Sequence, residues 1–504
     1  MHPVEVQGEA VNRSEAAEVP DAAPVEPWAR RPGPPPPVFL PHVIAMAGGL
    51  LTLLAPDPAV GLRILAYWSI AYALWMVWSR GRAYLAPSGV YFLASGVFIG
   101  LAIIYLLREG SVNELDVLLF WSVIAFTTVV STAMVLVAFS VSWGIVWPSA
   151  EQLRASARPP APVPPRMFQV TALAMILLSQ VPPLKALNLA ISGGLGLAGV
   201  LMLVLTASTR RVRMRWTGDI VLVAMVFIVP LAWMLATFEG GGRLTLAGIG
   251  VACLTAWSLV RPRRGQKVLA VAAIPLFLLF ATFSRQESDL QRITPTGEIN
   301  YSAGGGLASM YSPLDTWVEL TTQDPDTLAR TNASDIGPRW GSTFLTTLAL
   351  PVPRALWDDK PLGFGAELTR ILRPTLLASG GTAPEHSMAG LINSEFYVNF
   401  GVLGMVPLSL LVGWFLAKVD KAHLKVTRTN LLTVDDWWRA TIVMCLVASL
   451  GDLLWVGTFT FFSRGGLAAI LAWVIWKMTT RAPQPLPASV VARNQASAEL
   501  VDTP

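Results

Sequence analysis

Charge is what this chain has least of. Only 14% of its 504 residues are Asp, Glu, Lys or Arg, against roughly 25% in a soluble globular protein. That scarcity, with 53% hydrophobic residues and a mean hydropathy of +0.54, argues against a water-soluble globular fold and for repeated apolar runs of bilayer length. Cysteine is nearly absent: Cys253 and Cys445 both fall inside apolar runs, which leaves no disulfide framework and no paired-thiolate metal site. Histidine is rare too, at His2, His42, His386 and His423, so imidazole chemistry has few places to occur. The net charge of +5 is small for the length and is read through membrane topology; no nucleic-acid partner is expected. No cleavable leader is expected either, since the first apolar run begins near Val38 after a polar, Pro-rich stretch.

What is there is an all-α polytopic pattern. Residues 1–37 (with RRPGPPPP at 30–37) and 481–504 have the composition of disordered cytoplasmic tails. Between them about twelve spans are expected, near 38–55, 61–78, 85–106, 116–140, 167–183, 187–207, 217–237, 243–260, 268–284, 400–418, 438–459 and 465–478. Basic residues cluster in alternate connections: Arg80 and Arg82, Arg154 to Arg166, RRVRMR at 210–215, RPRRGQK at 261–267, and Lys418 to Arg428. This bias sets both termini on the cytoplasmic side. It makes 38–284 a block of nine spans, 285–399 one large external loop, and 400–480 a block of three spans.

A connection of that length is commonly functional. It carries Arg339, and then PVPRALWDDKPLGFG at 351–365, where three prolines stiffen the backbone around Arg354 and Lys360 and Trp357 offers a packing surface. A guanidinium fork and an ammonium suit phosphate oxygens. The alternative is that both cations pair with Asp358 and Asp359 and tie down a loop. Leu368, Ile371 and Leu372 have helical spacing, with Arg370 and Arg373 a turn apart. Such a helix either lies on the membrane surface or covers the loop's own core. His386, the loop's lone histidine, is a candidate proton acceptor or an ordinary structural residue. Glu395, Tyr397 and Asn399 stand just before a span, and Gly401 and Gly404 have the spacing of a helix-packing pair. Arg243, Asp452 and Arg464 are ionisable groups near span ends on the expected outer side, and are site candidates or, for the arginines, snorkelling anchors.

The run PVPRALWDDKPLGFG, followed by SMAGLINSEFYVNFGVLG at 387–404, resembles the O-antigen polymerase (oligosaccharide repeat-unit polymerase) family over about 340–415. Arg243 and Arg464 are similar in placement to that family's arginines. The resemblance implies a metal-independent, cofactor-free, inverting glycosyltransferase in the bacterial cytoplasmic membrane. Its substrate would be a polyprenyl-pyrophosphate-linked oligosaccharide, and a flippase and a chain-length regulator of the same pathway would be its partners. The catalytic base would be His386 or Glu395. Arg354, Lys360, Arg339, Arg464 and Arg243 would bind pyrophosphate. Trp357, Tyr397, Asn399, Asp452, Arg370 and Arg373 would position glycan or lipid. The alternative enzyme is an O-antigen ligase, using the same donor on a different acceptor, or another glycosyltransferase with a polyprenyl-linked donor. A twelve-helix transporter is the non-enzymatic alternative, although no internal repeat supports it.

Overall fold

Long apolar segments with almost no polar face have one stable form in lipid, the helix, because it satisfies every backbone N–H and C=O internally. A computed structural model describes residues 51, 55, 58–81, 84–108, 117–145, 166–187, 189–209, 243–260, 265–272, 338–352, 356–357, 360–372, 389–429, 431 and 433–479. Among the described residues there is no strand.

In chain order the helices are α1 (Pro58–Ser79), α2 (Pro87–Ser95) continuing through a π-turn (Gly96–Leu101) into α3 (Ala102–Arg108), α4 (Val117–Gly144), α5 (Arg166–Ser179), α6 (Pro182–Leu187), α7 (Leu189–Thr209) and α8 (Arg243–Val260). Then come α9 (Ser342–Leu348), α10 (Phe364–Leu372), α11 (Ile392–Thr429), α12 (Val434–Val447), α13 (Leu450–Trp455), and α14 (Thr458–Phe461) leading through a π-turn (Phe462–Gly466) into α15 (Leu467–Thr479).

Six helical stretches among the described residues are long and apolar enough to cross a bilayer: Val60–Ser79, Pro87–Ile104, Ala190–Ser208, Leu403–Thr429, Val434–Trp455 and Thr458–Thr479. This is a multi-pass membrane protein. The six coincide with the spans expected at 61–78, 85–106, 187–207, 400–418, 438–459 and 465–478. Shorter apolar helices occupy Thr132–Gly144, Arg166–Ser179 and Ala247–Leu259, within or beside three more expected spans. The span expected at 38–55 apart from residues 51 and 55, the one at 217–237, most of the one at 268–284, and both tails lie outside the described residues.

Two apolar cores hold the bundle. The larger joins α1 to α4 with α11, through side chains such as Tyr72, Met76, Phe92, Phe98 and Leu416. The smaller joins α5, α7, α8, α12 and α15 around Phe168, Trp437 and Trp438, the two indoles meeting the Phe168 ring edge-on at 5.3 and 5.6 Å.

One end of the bundle is closed by buried charges, each used on a helix terminus. Asp420 accepts from the Ser88 N–H at 2.9 Å and the Ser88 hydroxyl at 2.6 Å, satisfying donors that α2 leaves open in its first turn. Lys267 donates to the Val77 and Arg80 carbonyls, both at 2.6 Å, closing the C-terminus of α1. Arg80 reaches Ser142 and the Ile145 carbonyl at the end of α4. The start of α2 and the ends of α1 and α4 therefore meet the 420 region of α11, so these helices alternate in direction as the charge pattern requires.

The sequence places the start of a span at residue 400. The helix instead begins at Ile392 and runs to Thr429, interrupted at Gly401, whose φ of 65° and ψ of −165° are not helical. Only glycine adopts that backbone region readily. The expected role of Gly401 as half of a packing pair is thus corrected: a Cβ added there would meet nothing within 4 Å among the described residues, whereas one on Gly404 would strike the Cβ of Phe400 at 2.3 Å. The residues before 400 and the span after it thus form one helix with a kink at Gly401.

Candidate functional site

The kink at Gly401 organises the end of α11 opposite Asp420. A straight helix would give the carbonyls of Val398 and Asn399 to the amides of residues 402 and 403. Here they accept from the Arg339 and Trp340 amides, both at 3.0 Å. Trp340 sits in the left-handed region with φ 47°, and Gly341 follows with φ 87°. A bulky residue occupies that region at a cost of order 1 kcal/mol. These backbone hydrogen bonds offset the cost and fix the direction in which α9 leaves the turn.

Glu395 lies one turn before the kink edge and is 0% exposed. Its Oε1 accepts from the Thr343 hydroxyl at 2.9 Å and the Thr458 hydroxyl at 2.7 Å. Its Oε2 accepts from the Thr458 amide at 2.7 Å. That approach depends on Gly457, since a Cβ there would lie 2.4 Å from Oε2. One carboxylate therefore joins α9, α11 and the start of α14. Burial pushes the Glu395 carboxyl up to about 7, against the opposing pull of the Thr458 amide and hydroxyl and the Thr343 hydroxyl.

Asn399, also 0% exposed, completes the cluster. Its amide nitrogen donates to Thr343 Oγ1 at 2.8 Å and to the Glu395 carbonyl at 2.7 Å, and its Oδ1 accepts from the Gly341 amide at 2.9 Å. Tyr397, on the same turn, is half-buried and packs against the larger core.

Asp452 and Arg464 adjoin this cluster along the chain. α12 ends at Val447, and after a break at Ser449 the short α13 carries Asp452. The Asp452 carbonyl accepts from Val456 N at 2.9 Å and Gly457 N at 3.2 Å, which places the turn that Glu395 holds. The Asp452 side chain, 1% exposed, is 2.5 Å from Arg464 Nη1, and the arginine is about a quarter exposed. Arg464 stands in the π-turn before α15, a local rearrangement that recurs at functional sites. Asp452 Oδ2 is buried and finds no donor among the described residues.

The cations of the segment 285–399 divide. Arg339 Nε, half-buried, is 2.9 Å from Oε1 of the buried Glu367. Lys360 is nearly buried and donates to the Val352 carbonyl at 3.0 Å and the Leu350 carbonyl at 3.4 Å, bracing the stretch that precedes it. Trp357, 37% exposed, accepts the Lys360 amide at its carbonyl at 3.1 Å. Arg354, Asp358, Asp359, Arg373 and His386 lie outside the described residues. Arg243 opens α8 and Arg370 falls in α10, but their side chains are outside the described part.

Of the two alternatives for the helix at 366–378, the second holds over its described part. α10 covers a small core of Phe364, Leu368 and Ile371, 0 to 3% exposed, with Val398 packed against it. Its apolar stripe is turned into the protein, so it does not lie on the membrane by that face.

The sequence reading overlooked Thr343, Thr458 and Gly457, which hold Glu395. A signal was present. Thr343, Thr346 and Thr347 are spaced i, i+3, i+4 in STFLTTL, one helical face of hydroxyls in an apolar chain.

Comparison with protein-family models, with curated proteins and with solved structures finds no match to this chain.

Proposed function

We propose that this chain polymerises lipid-linked oligosaccharide repeat units on the outer face of a bacterial cytoplasmic membrane, with twelve spans, cytoplasmic termini and residues 285–399 as the external loop. The observation that carries the reading is the buried clasp around Glu395. The motif segment Asn393–Gly401 gathers the loop residues 339–347 and the turn 457–458 onto one helix end. A transferase needs such an arrangement to hold cations on a loop in fixed positions beside a membrane-borne substrate.

In this reading an acceptor hydroxyl oxygen on the terminal sugar of one lipid-linked unit attacks the anomeric carbon of the donor glycan. The bond from that carbon to the pyrophosphate oxygen breaks, its electron pair leaving with polyprenyl pyrophosphate, and the configuration inverts. Arg354 and Lys360, assisted by Arg339, Arg464 and Arg243, stabilise the charge that develops on the leaving group. Trp357, Tyr397, Asn399, Asp452, Arg370 and Arg373 position glycan and lipid. Both Glu395 oxygens accept hydrogen bonds in the described conformation, which supports a positioning role for Glu395 and proton acceptance by His386.

Inactivating the protein in its host and resolving the surface glycan by gel and mass spectrometry tests this. Long chains are expected to vanish while single repeat units persist, and Arg354→Ala or Lys360→Ala is expected to reproduce that pattern with normal membrane insertion. Loss of all transfer to the final acceptor would make the protein a ligase. An unchanged length distribution would dismiss both.

A further inference from the structure

Helix α9 is built inside out for a segment in water. Its threonines face inward, with Thr343, Thr346 and Thr347 at 1, 1 and 8% exposure, while Leu345 and Leu348 stand at 49 and 78%. The inward hydroxyls are all satisfied: Thr343 donates to Glu395, Thr346 to the Leu362 carbonyl at 3.0 Å and Thr347 to the Thr343 carbonyl at 3.2 Å. Nearby stand Trp340 at 77%, Leu356 at 79% and Trp357 at 37% exposure. Single exposed apolar residues are ordinary, but a helix that buries its hydroxyls and presents its leucines is not.

We propose that this face of α9, with Trp340, Leu356 and Trp357, is seated in the boundary between lipid headgroups and acyl chains, so that part of the segment read as an external loop dips into the bilayer. Continuity of surface selects this occupant. The Phe344 ring of α9 stacks on Phe400 at 6.1 Å. Phe400, at 36%, leads directly to Leu403 at 89% and Val406 at 46% on the outside of the span Leu403–Thr429. The apolar face of α9 thus extends a surface that already faces lipid. Tryptophan is the residue type enriched at that depth, having an apolar body and a polar N–H. A segment so placed keeps the cations beside it, Arg339 and Lys360, at headgroup level, where a lipid-linked pyrophosphate also lies; this last point alone depends on the proposed function.

The test uses the full chain in phosphatidylcholine–phosphatidylglycerol vesicles. Nitroxide labels are placed at Leu348→Cys, Leu356→Cys and Leu403→Cys in a Cys253→Ala background, Cys445 being fully buried, with Asp502→Cys in the polar terminal stretch as an aqueous reference. Collision with oxygen and with a water-soluble nickel chelate is measured by power saturation. Labels at 348 and 356 are expected to favour oxygen as the label at 403 does. Nickel access equal to that at 502 would put the face in water and overturn the proposal. Exclusion of both reagents would also overturn it: with dipolar broadening the occupant is a second copy of this chain, and without broadening it is another part of the same chain.

Discussion

Glu395→Ala is expected to open the clasp and abolish chain extension. The substitution removes the acceptor for three donors drawn from two other helices. The two threonine hydroxyls can turn to other acceptors, but the Thr458 amide cannot, and a stranded buried N–H costs of the order of 2 kcal/mol. Glu395→Gln distinguishes holding from proton transfer. A glutamine carbonyl still accepts the Thr458 amide, and its NH2 group donates to the threonine oxygens. If Glu395 positions, this variant extends chains within a few-fold of the unaltered protein. If Glu395 takes the proton, extension falls by about a hundredfold or more.

The same pair of proteins reports on pH. The folded Glu395 carboxyl titrates near 7 against an ordinary 4.5, so between those values the folded state binds the extra proton. Stability therefore falls as pH rises from about 4.5 to 7 and levels off above, by about 3 kcal/mol in all. A thermal midpoint in detergent is expected to drop over that window in the unaltered protein and to stay flat for Glu395→Gln. Parallel curves would remove Glu395 from the account of stability.

Gly401→Ala is the second large effect. No described residue would touch the added methyl, so the change acts through the backbone. Holding alanine at φ 65° and ψ −165° costs about 1–3 kcal/mol. The alternative is a straightened helix that takes back the carbonyls of Val398 and Asn399. Straightening strips the Arg339 and Trp340 amides of their partners, and strain in a retained kink makes that opening more frequent, so hydrogen exchange at those two positions is expected to accelerate at least tenfold, with shortened glycan. Gly250→Ala, in the interior of α8 and equally free of contacts, is the control expected to leave both unchanged. Unaltered exchange at Arg339 in the Gly401 variant would mean that the kink does not hold the loop.

Composition made the membrane class legible, because 14% charge leaves a chain of this length few other ways to fold. Charge alternation gave the relative directions of α1, α2, α4 and α11, since like-charged termini collect at one end. Glu395 and Asn399 stood out as polar residues entering a span, and the structure brings both into one cluster. What periodicity does not show is where a helix bends. Gly401 and Gly404 look alike in sequence, yet one sets a backbone angle and the other makes room for Phe400. Nor does a pattern of apolar positions reveal which way they face: α10 hides Leu368 and Ile371 while α9 displays Leu345 and Leu348, a difference set by which neighbour supplies acceptors for the threonines. Pairing across the fold was equally hidden, so Arg339 with Glu367 and Asp452 with Arg464 emerged only from the structure.

The central claim is transfer of a glycan between lipid carriers, and reconstitution tests it most directly. Purified protein in vesicles is supplied with a polyprenyl-pyrophosphate-linked repeat unit and nothing else. A ladder of lengthened lipid-linked products is expected, with one polyprenyl pyrophosphate released for each unit added. Substrate recovered at its original length, with no polyprenyl pyrophosphate released, would contradict the account.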